Sequence, residues 1–403
     1  MKKIGMLVVV MGLILALAMP ALAFTIEGAK GEKMYIGGQF ATDFMWWSRS
    51  KEITNTGTDQ TQFIVSVPTN SRLRGSLEVG NVGGYWEFGM GGSEAGTSGA
   101  GSGATNNYVE TRKLYGWYKF GACELRAGKD DGYFLTLLPA QYIGQVDGRH
   151  SALKGWGAIE DFRDPQVRFT QNINKNFGYM ITLLQPVVIN EPTVASTDPR
   201  RTSYNQFPRI ALKLMMNFGV VELYPAFLYQ AAKWDNLNQT VAWAGKSVDD
   251  MMYTWNAILP VRVKLGAFVA TAQFGYGQNI GLVFDYESTY QNYFRDAGGR
   301  IKDTTAMTGF IDLAYTFGPV TPHIYAGFDN AKNSDAYKGP TGDDYNTRLA
   351  WGISVPIKIA EGFFISPEFS YYDYGKGPAG TGANAGKDLG KEMLGGVQFQ
   401  FVF

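Results

Sequence analysis

Past residue 24, no apolar run in this chain is long enough to cross a bilayer as a helix, yet segment after segment alternates apolar and polar side chains with a period of two. That period belongs to an extended strand, whose successive side chains point to opposite faces. The last segment carries it most clearly. Counting back from Phe403, the residues Phe401, Phe399, Val397, Gly395 and Met393 share one parity, and Gln400 and Gln398 take the other. Leu349, Trp351, Ile353, Val355, Ile357 and Ile359 repeat the pattern against Arg348, Ala350, Gly352, Ser354, Pro356 and Lys358. So do Phe363, Ile365, Pro367, Phe369 and Tyr371 against Ser366, Glu368 and Ser370, and Leu259, Val261, Val263 and Leu265 against Pro260, Arg262 and Lys264. A strand with one greasy and one polar face suits either a soluble sandwich or a membrane barrel that meets lipid outside and water inside. Segments of about ten residues, and a terminal phenylalanine, favour the barrel.

The connections between segments decide the topology. Tight turns occur at Asn81 to Gly84, Gly121-Ala122, Asn174 to Asn176, Phe218-Gly219, Gly266-Ala267, Gly318-Pro319 and Glu361-Gly362. Between them fall longer polar stretches near 48–69, 92–106, 130–164, 188–206, 231–249, 279–304, 330–344 and 375–387. Strict alternation of short and long connections is the pattern of an up-and-down outer-membrane barrel. Seven turns and eight loops join sixteen strands, so the fold class is all-β, a 16-stranded antiparallel transmembrane β-barrel. The expected strands run near 33–47, 70–80, 84–91, 107–120, 122–129, 165–173, 177–187, 207–217, 220–230, 250–265, 268–278, 305–317, 320–329, 345–359, 363–374 and 388–403. A cylinder this wide is not filled by its own side chains.

Composition removes other classes. Hydrophobic residues at 45% and charged residues at 18% exclude a disordered polymer, and 50 glycines with 26 Phe, 23 Tyr and 9 Trp suit strands and turns. Equal numbers of basic and acidic residues, 36 of each, exclude a phosphate-binding surface, so no nucleic-acid partner is expected. One cysteine and two histidines build neither an internal disulfide nor a structural zinc site, and no cofactor is expected. Cys123 reads as a small apolar residue on an outward face. Lys2 and Lys3 before the apolar run Ile4 to Met19, with Ala21-Leu22-Ala23 following, read as a signal peptide over 1–23, leaving one barrel domain over 24–403.

Catalysis finds no foothold. His150 has no nucleophile in a recognisable setting, the chain has no Gly-x-Ser-x-Gly elbow, and the glycine-rich stretch 95–104 lacks the Lys-Ser/Thr of a phosphate loop. An enzyme is therefore not expected.

Parity assigns the inner wall. Arg72, Arg74, Arg126, Arg168, Arg209, Arg262 and Arg348 alternate with apolar neighbours and point inward, with Lys213, Lys264 and Lys358 beside them. Glu78, Glu87, Glu124, Glu222, Asp312 and Glu368 are the inward acids. Trp46, Trp47, Trp86, Tyr118, Tyr229, Tyr253 and Tyr371 fall near strand ends, where amphipathic rings meet lipid headgroups.

From signal peptide through sixteen strands to Phe403, the chain resembles the trimeric porins of Gram-negative bacteria, general-diffusion type. The resemblance implies an outer-membrane location in contact with outer-membrane lipid, a homotrimer, and passive, constricted passage of small hydrophilic solutes. It also implies recognition of Phe403 by the barrel assembly machinery. In that family the third outward loop folds inward, and here the third connection, 130–164, is the longest. Its Asp130, Asp131, Asp147, Glu160, Asp161 and Asp164 are then expected to oppose the arginines. Outward Gly38, Gly116 and Ala127 permit close subunit approach. A substrate-selective channel, and a non-conducting adhesin or structural barrel, are the alternative readings.

Overall fold

The computed structural model describes residues 24–28, 31–54, 57–68, 70–91, 108–132, 137–143, 153, 156–159, 163–190, 195–205, 207–240, 242–282, 293–296, 298–332, 345–377 and 386–403. Residues 1–23, expected to be a signal peptide, lie outside them. Sixteen antiparallel strands close into a barrel. They are β1 (Lys33–Arg49), β2 (Gln60–Ser66 and Arg72–Val79), β3 (Val82–Gly91), β4 (Tyr108–Phe120), β5 (Cys123–Asp131), β6 (Arg163–Asn174), β7 (Phe177–Leu184) and β8 (Arg209–Asn217). Then follow β9 (Val221–Leu223 and Ala226–Lys233), β10 (Met251–Leu265), β11 (Phe268–Gln278), β12 (Thr305–Tyr315), β13 (His323–Lys332), β14 (Tyr345–Ser354 and Ile357–Ala360), β15 (Phe363–Asp373) and β16 (Lys391–Val402).

Each strand pairs with its neighbours in sequence, and β1 closes the cylinder on β16 through a register running from Gln39↔Val402 to Arg49↔Glu392. Closure leaves no free sheet edge, which a bilayer requires because lipid cannot satisfy orphaned backbone groups. At the seam the Gly38 N–H donates to the Phe403 carbonyl at 2.7 Å, and the Phe403 N–H returns the bond to Gly38 at 3.0 Å. Beyond that point the short N-terminal strand Phe24–Glu27 pairs with β1 from Phe24↔Ile36 to Glu27↔Lys33. Tight turns close the other end, and Gly121 (φ +58°) and Gly266 (φ +61°) hold the left-handed conformations those turns need.

Outside, the barrel is apolar: Phe44, Trp46, Phe63, Leu114, Leu125, Ile181, Leu212, Phe274, Ile311 and Trp351 are all exposed. Inside, Asp43, Thr182, Thr254, Asn256, Thr308, Ser354, Ser370 and Gln398 are buried. This inverts the arrangement of a soluble sandwich, whose inward residues are apolar, and decides between the two readings that alternation permitted. Aromatic pairs stiffen the outer face, Trp46 with Phe63 (5.1 Å) toward the loop end and Phe363 with Phe401 (4.7 Å) toward the turn end.

The expected strands match the observed ones closely, with instructive departures. The first long connection, expected over 48–69, contains the strand Gln60–Ser66, which pairs with the upper half of β1. Its junction with the rest of β2 passes Pro68, and Ser71 repairs the ladder there: its hydroxyl accepts from the Ala41 N–H at 3.0 Å. Both other broken strands break at a proline set one residue out of register with a proline of the next strand. In β9 the gap at Pro225 faces Pro260 of β10, and the Tyr224 N–H donates to the Pro260 carbonyl at 3.0 Å. In β14 the gap at Pro356 faces Pro367 of β15, with Val355 N–H on the Pro367 carbonyl at 2.9 Å. A proline has no N–H for the ladder, so the rungs Tyr224/Pro260 and Val355/Pro367 each keep a single bond.

Candidate functional site in the barrel lumen

The inner surface presents two unlike walls. On β2 to β6 nearly every cation is matched by an acid on its own or the adjacent strand. Arg72 approaches Glu87 at 3.5 Å, while the Arg112 Nε donates to the same carboxylate at 2.8 Å. Asp130 is almost wholly buried and shared, with Arg126 Nη1 at 2.6 Å, Arg168 Nη1 at 3.1 Å and Lys113 Nζ at 3.8 Å. Asp131 pairs with Arg163 at 2.9 Å and with Lys113. Arg126 also reaches Glu124 at 2.8 Å and lies over the Tyr115 ring at 4.4 Å. Arg74 stands cross-strand from Glu87. Further round, Arg209 is fully buried, bound to the Asp164 carboxylate and donating to the Gln185 carbonyl at 2.9 Å. Arg262 and Lys264 share Glu222 at 3.5 Å and 2.5 Å.

Three of the acids expected on the third connection thus sit at its strand roots. Asp130 and Asp131 end β5 and Asp164 opens β6, directly on the arginines. Asp147, Glu160 and Asp161 lie outside the described residues. Parity missed two cations altogether. Glu87 pairs with Lys113 and Phe88 with Thr111, so Arg112 is the extra residue of a β-bulge. The bulge resets the alternation and aims Arg112 and Lys113 to the same side. A bulge leaves no mark in a period-two count except the break in phase between Thr111 and Leu114.

The second wall, β12 to β16, meets a different partner: the connection between β5 and β6. The Ala140 N–H donates to Asp312 Oδ2 at 3.0 Å, and the Tyr142 and Ile143 N–H groups donate to Glu368 Oε2 at 2.5 and 3.3 Å. In the reverse sense, the Ser354 hydroxyl donates to the Ala140 carbonyl at 2.5 Å and the Gln398 amide to the Tyr142 carbonyl at 2.7 Å. Gln141 reaches Ser370 at 3.4 Å and the Tyr372 hydroxyl, and its carbonyl oxygen accepts from the Leu153 N–H at 2.9 Å.

Apolar packing follows the same path. Ile143, Leu153, Trp156 and Ala158 are fully buried in one cluster with Met45, Phe310, Tyr325, Tyr372 and Leu394, and Ile159 enters a second with Leu228, Ile258 and Ala306. Trp156 is edge-on to Tyr372 (4.9 Å) and Tyr374 (4.7 Å), with the Arg348 guanidinium 3.9 Å from its ring centroid. Arg348 is therefore covered, while the wall beneath is thinned to receive the chain: a side chain at Gly327 would collide with the Trp156 carbonyl.

The barrel's overall shape can now be compared with solved structures. No family model matches the sequence, and no curated protein does. The outer membrane channel DcaP of Acinetobacter baumannii superposes with a TM-score of 0.68 at 15% identity, covering 95% of this chain and 100% of that one. This chain has the fold of the Gram-negative outer-membrane porins. An anion-selective porin from Comamonas acidovorans (TM-score 0.54, 11% identity, 92% and 100% covered) shares it. So does Salmonella typhi OmpF, in a complex with daunomycin (0.55, 9%, 94% and 100%). At these identities the likeness is one of fold. A porin barrel with an apolar outer band belongs in the outer membrane.

Proposed function

We propose that the protein is a non-enzymatic, passive channel for small hydrophilic solutes and ions, constricted where the third connection crosses the lumen from the β5–β6 wall to the β12–β16 wall. The observation that carries this reading is the set of hydrogen bonds from Ala140, Tyr142 and Ile143 to Asp312 and Glu368, more than 170 residues away in sequence. A strap of backbone fixed across a water-filled cylinder narrows it without filling it, because the polar residues on the first wall stay along the remaining passage. Arg72, Arg74, Arg126 and Arg262 line that passage in this reading, whereas the buried Arg168, Arg209 and Arg348 act through the field they contribute. Paired as they are with Glu87, Asp130 and Glu222, these cations set a local potential in place of a bare positive surface.

Planar-bilayer recording of the purified barrel tests the proposal. The wild type is expected to conduct, and removal of residues 137–159 to raise single-channel conductance several-fold. A silent wild type points to an adhesin or structural barrel. Equal conductance with and without the segment removes the third connection as the constriction, and saturable block by one solute class marks a selective channel. Homotrimer formation and recognition of Phe403 by the barrel assembly machinery belong to the same proposal. Cross-linking in mild detergent and membrane fractionation of a chain lacking Phe403 test them, with monomers only, or undiminished insertion, as the contrary results.

A further inference from the structure

The inner face of β12 to β16 has a further feature at the turn end of the barrel, away from the arginine wall. A cavity of about 410 Å³ lies there, within the range of about 300–1,000 Å³ that ligand pockets occupy. Its place follows from the register. Phe364 of β15 stands between Lys358 of β14 and Gln400 of β16, and Ser366 stands opposite Gln398 two residues further along. Tyr142 of the third connection lines the loop side, its carbonyl held by the Gln398 amide at 2.7 Å. Two observations set the cavity apart from the rest of the wall. Ser366 is 1% exposed, and its hydroxyl has no hydrogen-bond partner among the described residues. A buried polar group without a protein partner calls for one from outside the chain. Phe364 is a half-buried aromatic ring on an inward face that continues as Ser366, Glu368 and Ser370.

Building on the reading that hydrophilic solutes pass through the lumen, we infer that this cavity is a subsite for a neutral polyhydroxylated solute the size of one monosaccharide ring. A sugar hydroxyl both donates and accepts, so it is matched by groups that do the same. Ser366, Thr316 and Thr321 supply such hydroxyls, the two threonines 3.2 Å apart, and Gln400 supplies an amide with both functions. A sugar ring also has an apolar face of C–H groups, for which Phe364, Pro319 and Pro356 provide a surface. Charge points the same way. The basic groups of the lining are already answered, His323 Nδ1 by Asp312 at 3.1 Å and Lys358 Nζ by Glu361 at 2.8 Å. Among the described residues no carboxylate or guanidinium lines the cavity, so neither an anion nor a cation meets an unanswered countercharge there. On the turn side of the narrow point, such a subsite holds solute that has passed the third connection, weakly enough to release it.

Saturation-transfer NMR on the whole barrel, folded in a detergent without a sugar headgroup, tests this with D-glucose as the probe. The wild type is expected to transfer magnetisation saturably to the glucose ring protons, and to bind D-glucuronate, the acid on the same frame, and protonated D-glucosamine more weakly. Ser366→Ala should weaken glucose binding about fivefold, the loss of one hydrogen bond, and Phe364→Ala about tenfold, the loss of the apolar platform. Phe364→Tyr keeps the platform and should bind within about twofold of the wild type. Should Phe364→Ala fail to fold, Ser366→Ala, which removes a single oxygen, carries the test. Absence of transfer from the wild type, undiminished binding in the alanine variants, or tighter binding of glucuronate or glucosamine than of glucose overturns the subsite, even if the barrel conducts. Saturable, variant-sensitive binding by a barrel that is silent in a planar bilayer upholds the subsite and removes the channel reading instead.

Discussion

The two inner walls solve the same problem, a charge drawn out of bulk water, by opposite means. On β2 to β6 the carboxylates Glu87, Asp130 and Asp131 are neutralised by Arg72, Arg112, Arg126, Arg168, Arg163 and Lys113. On β12 to β16 the carboxylates Asp312 and Glu368 are satisfied by backbone N–H groups, hydroxyls and one imidazole. The first arrangement balances charge and leaves the wall self-contained. The second leaves carboxyl groups whose donors come in part from another segment. A barrel that must hold an inward connection in place needs the second kind of wall, and one that presents a fixed field to solutes needs the first.

The largest test of this difference is to delete one charge from each wall. Asp130→Asn takes a shared carboxylate from three cations. Arg126 keeps Glu124 and Lys113 keeps Asp131, so the loss falls on the buried Arg168, and removing one member of a buried ion group costs about 3–5 kcal/mol. Glu368→Gln leaves no unpaired cation, only N–H and hydroxyl donors, and the corresponding cost is about 1–3 kcal/mol. Urea unfolding of the detergent-folded barrel, followed by intrinsic tryptophan fluorescence, should rank Asp130→Asn as the more destabilised. The reverse order would mean that the connection, and not the arginine wall, carries the stability of the lumen.

Next in size is the electrical effect. Replacing Arg74 and Arg126 together with Gln removes two positive charges that are fixed at every working pH and leaves the neighbouring Glu87, Glu124 and Asp130 in place. The reversal potential in a salt gradient should move toward cation preference, and should move less at high salt, where the screening length falls to about 3 Å. An unmoved potential would take these arginines out of the conducting path. The same measurement on Arg348→Gln should give a smaller shift, because Trp156 and Tyr374 cover that guanidinium.

How far the sequence reveals this arrangement depends on which physical signal each part leaves. Strand number and closure are legible because lipid on one side and water on the other impose a period of two along every strand, and turns and loops differ in length at the two ends. Breaks at Pro68, Pro225 and Pro356 are nearly legible, since a missing N–H is visible in the letters, though the placing of Tyr224 opposite Pro260 requires the register. The bulge at Arg112 is not, because both phases around it look regular. The hydrogen-bonded anchoring of the third connection is least legible of all. Glu368 has the parity of an ordinary inward acid, and only the fold brings it to Tyr142, 226 residues away. The third connection stands out in the sequence by its length, but the residues that receive it carry no local motif.

The smallest expected effect sharpens the comparison by joining both kinds of partner on one carboxylate outside the membrane. Asp249, in the outer connection after β9, accepts from the Ile301 N–H at 2.9 Å and from Arg300 Nη1 at 2.8 Å. Partial burial works to raise its pKa. The Ile301 hydrogen bond and the nearby Arg300 and Arg295 charges outweigh it and hold the group below the usual carboxylate range. A depressed folded value means that the contribution is complete above the unfolded value, near 4, and is lost as pH falls through the folded one. Because Arg300 and Asp249 are both well solvated, the contribution is expected to stay under about 1 kcal/mol. Exchange of the Ile301 amide should thus be modestly faster in Asp249→Asn than in wild type at neutral pH, and the two should converge in acid once Asp249 is protonated, below the usual carboxylate range. Salt should shrink the Arg300 share and spare the N–H bond, so a difference that survives 1 M salt undiminished would assign the hold on this connection wholly to the backbone, as on the second wall.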